Sequence, residues 1–236
     1  MRLVKLDNAL LREVDERLKS ASRKAGDRLA CKPGCTSCCI GVFTINQLDA
    51  ARLGRGLREM KASDPARAQA VRRRAEEVVR IVKPDFPGDA ETGLLEDEDG
   101  IDGFTSAFSD VACPALDPTT GLCDLYDSRP MSCRTYGLPI LHEMEKLPPC
   151  SLCFQGSSLE EIENCRVEPD PDGLENAILC ELLEDGARAC QDFPMERSVA
   201  GGGPDGLGPE TIVAYALVAG ERQASDDRTD ESRAAR

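Results

Sequence analysis

The sequence predicts a mainly α fold, α+β only through one short β-hairpin, with helices packed around a cysteine-rich centre. Three observations support this prediction. Apolar residues recur every three or four positions in several segments, which is the spacing of one helix face. A single segment, residues 113–126, has two strand-like runs around a turn. Nine of the 12 cysteines lie between the helical segments, in tight groups along the chain.

Three helices are predicted in the first half of the chain, each behind side chains that can cap the free N–H groups of the first turn. The helices span residues 8–20, 45–60 and 65–82. The caps are Asp7, a capping box of Thr44 with Gln47, and Asp64, which stands before Pro65. The first helix has an apolar face of Leu10, Leu11, Val14 and Leu18.

The second half of the chain alternates loops with shorter elements. Residues 84–104 are acidic and rich in Gly and Pro, which predicts a mobile acidic loop. The sequence CPALDPTTGLCDLY, residues 113–126, predicts the hairpin around the turn DPTTG. Three more helices are expected, namely one behind a capping box of Ser158 with Glu161, one over 173–191 and a short one over 209–220.

Charge is distributed unevenly along the chain. Residues 1–83 carry 19 Lys and Arg against 10 Asp and Glu, whereas residues 84–236 carry 10 against 33. Because acidic residues are interleaved in the basic part and aromatic residues are scarce, its helices are expected to pack beside the acidic remainder, and nucleic acid is disfavoured as a partner. No window is apolar enough to span a membrane, and the charged N-terminus does not read as a signal peptide. A reducing cytoplasm is the expected location.

Nine cysteines are candidate metal ligands, because short spacings in a reducing compartment favour metal chemistry over disulfides. They are Cys31, Cys35, Cys38, Cys39, Cys113, Cys123, Cys133, Cys150 and Cys153. Soft thiolates select zinc, Cu(I) or iron–sulfur centres. With one histidine in the chain, mixed Cys/His sites are almost excluded. We interpret Cys165, Cys180 and Cys190 as packed thiols and His142 as a surface or loop residue.

Cys38 and Cys39 are adjacent, and neighbouring side chains point apart in both helix and strand. Their sulfurs are therefore expected to serve different metal centres, unless one of them ligates and the other stays exchangeable. The number of thiolates favours a polynuclear cluster or two neighbouring ions. Arg129 and Arg134 flank Cys133, and each could either donate to a sulfur or form a plain salt bridge.

Two motifs, CKPGCTSCC from Cys31 and CPALDPTTGLCDLYDSRPMSCRTYG from Cys113, resemble the YkgJ-type cysteine cluster proteins, whose CxxCxxCC domain is named for chelation of zinc or iron. The sequence CSLCF at 150–154 matches more loosely. The flagellin lysine N-methylase is a relative of that family. The resemblance implies a bacterial metal-binding protein in which the first seven candidate cysteines are ligands, with Cys150 and Cys153 less firmly included.

We expect the two motifs to meet at one inorganic core, which would bring Cys35 close to Cys123, with the helices packed around this metal centre. Residues 1–221 would form a single cysteine-cluster metal-binding domain, and residues 222–236 a disordered acidic tail with nothing to bury. Because metal binding would offset the entropy of closing so long a loop, removing the metal should disorder both motifs.

A metal-binding protein in metal handling, storage or redox sensing, with no assigned reaction, is the favoured function. The alternatives are a methyltransferase-like enzyme related to flagellin lysine N-methylase and a structural zinc module that binds a protein partner. The run Cys31-x3-Cys35-x2-Cys38 also has the spacing found in radical S-adenosylmethionine enzymes. Against that reading, Ser37 stands where those enzymes place an aromatic residue, and no alternation of strands and helices follows.

Overall fold

Helices dominate the structure, a computed structural model that describes residues 2–96, 98–142, 144–184 and 209–219. The prediction of a mainly α fold with little β-structure is confirmed. The α-helices are α1 (Arg2–Ala25), α2 (Gln47–Ser63), α3 (Pro65–Val82), α4 (Glu98–Ala107), α5 (Met131–Thr135), α6 (Leu159–Asn164), α7 (Leu174–Glu184) and α8 (Val213–Ala219). None of these described helices is long and apolar enough to cross a membrane.

Short strands in the described residues form three antiparallel pairs. They are β1 (Thr44–Ile45) with β6 (Thr211–Ile212), β2 (Gly88–Asp89) with β3 (Leu94–Leu95), and β4 (Ile140–His142) with β5 (Glu145–Leu147). Thr44 lies opposite Ile212 in the first pair, and Ile140 lies opposite Leu147 in the last. Pairs this short cannot bury a core of their own, so the helices supply the apolar core.

The chain divides into two compact units. Residues 1–35 with 131–193 form the first unit, and residues 36–130 with 194–236 form the second, each as far as the structure describes it. Each unit therefore combines stretches that are distant in sequence. The single domain of residues 1–221 stays a prediction, and the predicted acidic tail lies outside the described residues.

In the first unit, α1 packs against α7. The predicted apolar face of α1 is confirmed, with Leu10 and Val14 almost completely buried. The predicted cap is wrong, because α1 begins at Arg2 and Asp7 lies buried inside it. Most of the residues ahead of Asp7 are good helix formers, so the helix extends past that side chain. The described α7 covers the first part of the helix predicted over 173–191, and its remainder, with Cys190, lies outside the described residues.

In the second unit, α2, α3 and α8 pack around an apolar core that includes Leu53, Val71 and Leu217. Helix α3 follows the prediction at both ends. At its start the Asp64 carboxylate accepts a hydrogen bond from the backbone N–H of Arg67 at 3.1 Å. A cap of this kind satisfies one of the free donors of the first turn and fixes where the helix begins.

The predicted capping box of α2 is wrong. Thr44 belongs to β1, and Asn46 caps the helix instead by accepting from the backbone N–H of Asp49 at 2.9 Å. The pairing of β1 with β6 holds Thr44 in extended backbone, which moves the helix start two residues along the chain. The helix predicted over 209–220 is correspondingly shorter, since β6 takes its first residues and α8 the rest.

The stretch 84–104, for which the sequence predicts a loop, contains β2, β3 and the first part of α4. Its few apolar residues anchor it to the second unit. The rings of Phe86 and Phe104 meet edge to face at 5.6 Å, and Phe86 also lies 4.7 Å from the ring of Tyr215. These aromatic contacts bury apolar surface, although the acidic composition of the stretch predicts little burial.

Candidate metal centres

The predicted hairpin places two cysteines of the second unit near each other. The backbone N–H of Asp124 donates to the carbonyl of Ala115 at 2.7 Å, and Leu116 pairs with Cys123 in an antiparallel bridge. The hairpin prediction is therefore confirmed, although the pairing is limited to an isolated bridge. Its two arms bring Cys113 close enough to Cys123 for the charge of one thiolate to affect the other.

The adjacent Cys38 and Cys39 lie against the start of this hairpin. They belong to the 3-10 helix Ser37–Cys39, and the backbone N–H of Cys113 donates to the carbonyl of Cys39 at 2.7 Å. The two thiols act on each other, because the neighbouring thiol lowers the pKa of Cys38 and raises that of Cys39. The expectation that the two sulfurs serve different centres, unless one of them stays exchangeable, stays a prediction. It used helix and strand geometry, whereas the backbone here makes a tight 3-10 turn.

The sulfurs of Cys38, Cys39, Cys113 and Cys123 interact mutually, and we call these four residues thiol group 2. The hydrogen bond with Cys39, assisted by the positive charge of Arg129, lowers the pKa of the Cys38 thiol to about 6. The same hydrogen bond and burial raise the pKa of Cys39. Burial raises the pKa of Cys113 to about 11 and also raises that of Cys123.

Backbone N–H groups act on two of the sulfurs of this group. Backbone hydrogen bonding from Ala115 and Leu116 lowers the pKa of the Cys113 thiol, and that from Leu125 lowers the pKa of the Cys123 thiol. Such hydrogen bonds favour the thiolate over the thiol, so they oppose the effect of burial on the pKa. This is the arrangement in which backbone donors stabilise sulfur ligands of a metal.

The first unit holds a second set of four thiols, which we call thiol group 1. Its members are Cys31, Cys35, Cys150 and Cys153. The sulfurs of Cys31 and Cys153, which belong to the two separate stretches of this unit, lie 3.8 Å apart. Partial desolvation and then the nearby Cys153 thiol raise the pKa of Cys31 to about 12, with smaller contributions from Cys35 and Cys150.

Turns on both sides of thiol group 1 hold its backbone in place. The N–H of Cys153 donates to the carbonyl of Cys150 at 2.8 Å, and the N–H of Leu152 points at the Cys150 sulfur from 3.5 Å. The N–H of Phe154 donates to the carbonyl of Arg28 at 2.7 Å, which ties the end of one segment to the start of the other. In the other segment the N–H of Cys35 donates to the carbonyl of Lys32 at 2.9 Å, so local hydrogen bonds hold the backbone on both sides of the group.

Gly137 lies directly beside thiol group 1. Its φ is +104°, and a Cβ built on it would be 2.5 Å from the sulfur of Cys31 and 3.8 Å from that of Cys153. Any side chain would therefore collide with the Cys31 sulfur, and the backbone conformation itself favours glycine. The position requires glycine for two independent reasons. Sequence reasoning did not single this residue out, although it directly follows the last tyrosine of the second motif.

The spacing within thiol group 1 fits a tetrahedral ion. Metal–sulfur bonds of about 2.3 Å place two sulfurs of a tetrahedral zinc site about 3.8 Å apart, which is the Cys31–Cys153 distance. No group of three or more His, Cys, Asp or Glu side chains in the described residues is already arranged as a metal site. One pair of sulfurs thus has the spacing of ligands, and the other thiols of the group would have to turn inward on binding.

The two arginines near the second motif have different roles. The guanidinium of Arg129 lies 3.9 Å from the ring centre of Tyr126 and donates to its carbonyl at 2.7 Å, and its charge lowers the pKa of Cys38 and Cys123. Arg134 instead donates to both carboxylate oxygens of Asp15, at 2.8 and 2.9 Å. Arg129 therefore acts on sulfurs, while Arg134 forms the alternative salt bridge.

An acidic residue next to Cys123 fixes the hairpin to helix α3. The Asp124 carboxylate, whose side chain is 3% exposed, accepts from Arg67 and from Arg74, each at 2.5 Å. The guanidinium of Arg74 also donates to the carbonyl of Pro114 at 2.8 Å. These contacts hold both arms of the hairpin. The sequence gives a weak signal for them, since Asp124 follows a candidate ligand and the arginines recur on one helix face.

The other predicted cysteines are placed as follows. Cys133 is half-buried in α5 of the first unit, and its role as a ligand stays a prediction. Cys165 is buried after α6, and Cys180 is half-buried in α7. None of the eleven described cysteines forms a disulfide. His142 is exposed at the end of β4, as expected.

The described part of the chain is helical, and its thiols form clusters without disulfides. These features define the class of cysteine-cluster proteins. The family model of the CxxCxxCC domain, described as a "Putative zinc- or iron-chelating domain", matches residues 30–154. This match spans more than half of the chain and includes both thiol groups, so the chain belongs to that family. The chain matches no curated protein and no solved structure.

Proposed function

We propose that this protein binds zinc or iron, the latter as an ion or an iron–sulfur centre, through the thiolates of its cysteine clusters. The observation that carries the proposal is the pair of sulfurs from Cys31 and Cys153, which lie 3.8 Å apart without a disulfide. The family match adds independent support, because the matching domain is described by chelation of these two metals.

The raised pKa values of several thiols mean that these thiols are protonated without metal, and metal binding would change that. Desolvation and neighbouring sulfurs favour protonated Cys31, and burial favours protonated Cys113. A coordinated dication inverts this preference, because a coordinating thiol is deprotonated outright. The metal would therefore supply the positive charge that the crowded sulfurs need, and the sulfurs would supply the soft ligands that zinc and iron accept.

The residues of the chain perform binding and orientation in this proposal. Backbone donors to Cys113, Cys123 and Cys150 orient those sulfurs, and Arg129 balances the negative charge of thiol group 2. A reducing cytoplasm keeps such thiols available for metal. We accordingly place the protein in metal handling, storage or redox sensing, with no catalysed reaction assigned.

The test is metal and sulfide analysis of anaerobically purified protein. Elemental analysis should find stoichiometric zinc or iron in the wild-type protein. Cys153→Ala should lower the metal content, whereas Cys165→Ala should not. The two cysteines form a matched pair, because both belong to the first unit and their residues are 4% and 5% exposed. Wild-type protein free of metal after anaerobic purification and after incubation with Zn²⁺ or Fe²⁺ would contradict the proposal.

A further inference from the structure

The eight cysteines of the two thiol groups divide along the boundary between the compact units. The chain leaves the first unit after Cys35 and enters the second at Thr36, so the first motif is split between its second and third cysteines. It returns to the first unit at Met131, ahead of the CSLC segment. Each unit consequently receives four of these eight cysteines, two from the first motif and two from a later part of the chain, and the first unit also contains Cys133.

Contacts and hydrogen bonds follow the same division. In the first unit the sulfurs of Cys31 and Cys153 lie 3.8 Å apart. Turns keep Cys35 and Cys150 beside them, because the N–H of Cys35 donates to the carbonyl of Lys32 at 2.9 Å and that of Cys153 to the carbonyl of Cys150 at 2.8 Å. In the second unit the N–H of Cys113 donates to the carbonyl of Cys39 at 2.7 Å, and the bridge between Leu116 and Cys123 brings the two arms of the hairpin together.

We infer that each thiol group binds its own metal ion, so that the chain holds two separate tetrathiolate sites. This inference rests on the proposed function and extends it to the number of ions and the ligands of each. Four thiolates fill the coordination sphere of a tetrahedral ion. Each thiol group can therefore supply all four ligands of one ion by itself.

The two sites have different surroundings. Four thiolates on a dication leave a net charge of about −2, which nearby donors and cations must balance. Thiol group 2 has the Arg129 charge and backbone donors at Cys113 and Cys123. Thiol group 1 has the Leu152 donor and the close backbone of Gly137. A change at Arg129 or Gly137 should therefore affect one ion and leave the other in place.

The experiment is a titration of anaerobic, metal-free full-length protein with Co²⁺, whose absorption bands report tetrahedral thiolate coordination. We expect saturation at two ions per chain for wild-type protein and for Cys165→Ala. The double variants Cys31→Ala/Cys153→Ala and Cys38→Ala/Cys113→Ala should each saturate at one ion and keep the tetrathiolate spectrum. A double variant that loses both ions would overturn the inference in favour of one shared core.

Alkylation of the wild-type protein provides a second measurement that needs no folded variant. Protein loaded with one equivalent of Co²⁺ is treated with iodoacetamide, and the modified cysteines are mapped by mass spectrometry. If the cysteines protected from alkylation fall into sets of four that match the two thiol groups, the result supports two sites. Protection of a set that mixes cysteines of both groups overturns the inference. Saturation of the wild-type protein at one ion would also overturn the inference while leaving metal binding intact. Binding of no ion would instead overturn the proposed function.

Discussion

Replacing Gly137 by alanine places a methyl group against the Cys31 sulfur. The new Cβ would start 2.5 Å from that sulfur, and ordinary van der Waals contact begins at 3.4 Å, so the sulfur has to retreat by about 1 Å. That shift removes the 3.8 Å spacing to Cys153 on which the site depends. Changes just outside a metal's ligands typically lower affinity about 10- to 100-fold, and we expect a loss of that size at thiol group 1.

Gly156→Ala is the matched control. Gly156 lies in the same unit with a φ of +73°, and a Cβ there would have nothing within 4 Å. Both variants therefore place alanine at a positive φ, which strains the backbone, but only Gly137→Ala displaces a sulfur. Chelator competition measures the metal affinity, and urea unfolding in excess chelator measures the strain. Equal metal affinity in the two variants would refute the steric argument.

Three further predictions concern charge and protons. Arg129→Gln should raise the pKa of the Cys38 thiol and slow its alkylation in metal-free protein at pH 7, whereas Arg80→Gln, which removes an exposed arginine, should leave the rate unchanged. Asp124→Asn should lower the free energy of unfolding by about 2 kcal/mol, because it weakens hydrogen bonds to two arginines, and a normal urea midpoint would contradict this. Metal binding at pH 7.5 should release protons, since the metal-free thiols of Cys31 and Cys113 stay protonated up to about pH 12 and 11, and metal affinity should rise with pH. Calorimetry in buffers of different ionisation enthalpy counts those protons, and a count of zero would contradict the prediction.

The helices could be predicted from the sequence, but their first residues were predicted correctly only in some cases. Asp64 caps α3 as expected, because Pro65 at the first helical position reinforces the signal. Asp7 and Thr44 also have side-chain oxygens that can accept from a free N–H group, but neither stands directly before a helix. Good helix formers extend α1 past Asp7, and a strand partner from the far end of the chain holds Thr44. Such long-range pairing has no local signature, so propensity alone could not reveal it.

The candidate site was predictable in its residue types and only partly in its arrangement. Spacing identified the thiols, and the turn DPTTG identified the hairpin that carries two of them. The division of the thiols into two groups was not predictable, because it depends on where the chain passes from one compact unit to the other. The effect of the Cys38 and Cys39 thiols on each other's pKa likewise involves a 3-10 turn, which two adjacent cysteines in a sequence do not specify.

The close approach of Gly137 to two sulfurs also comes from tertiary structure. A glycine after Tyr136 is compatible with many turns. The requirement for glycine follows only because Cys31, from the other stretch of this unit, lies beside it. The acidic stretch 84–104 shows the converse case. Composition predicts a loop there, but Phe86 and Phe104 bury enough apolar surface to order part of it.

X-ray absorption at the metal edge of natively loaded protein measures directly whether sulfur atoms bind the metal. We expect a first shell of four sulfur atoms at about 2.3 Å from each ion. A first shell dominated by nitrogen or oxygen would contradict binding through the cysteine thiolates.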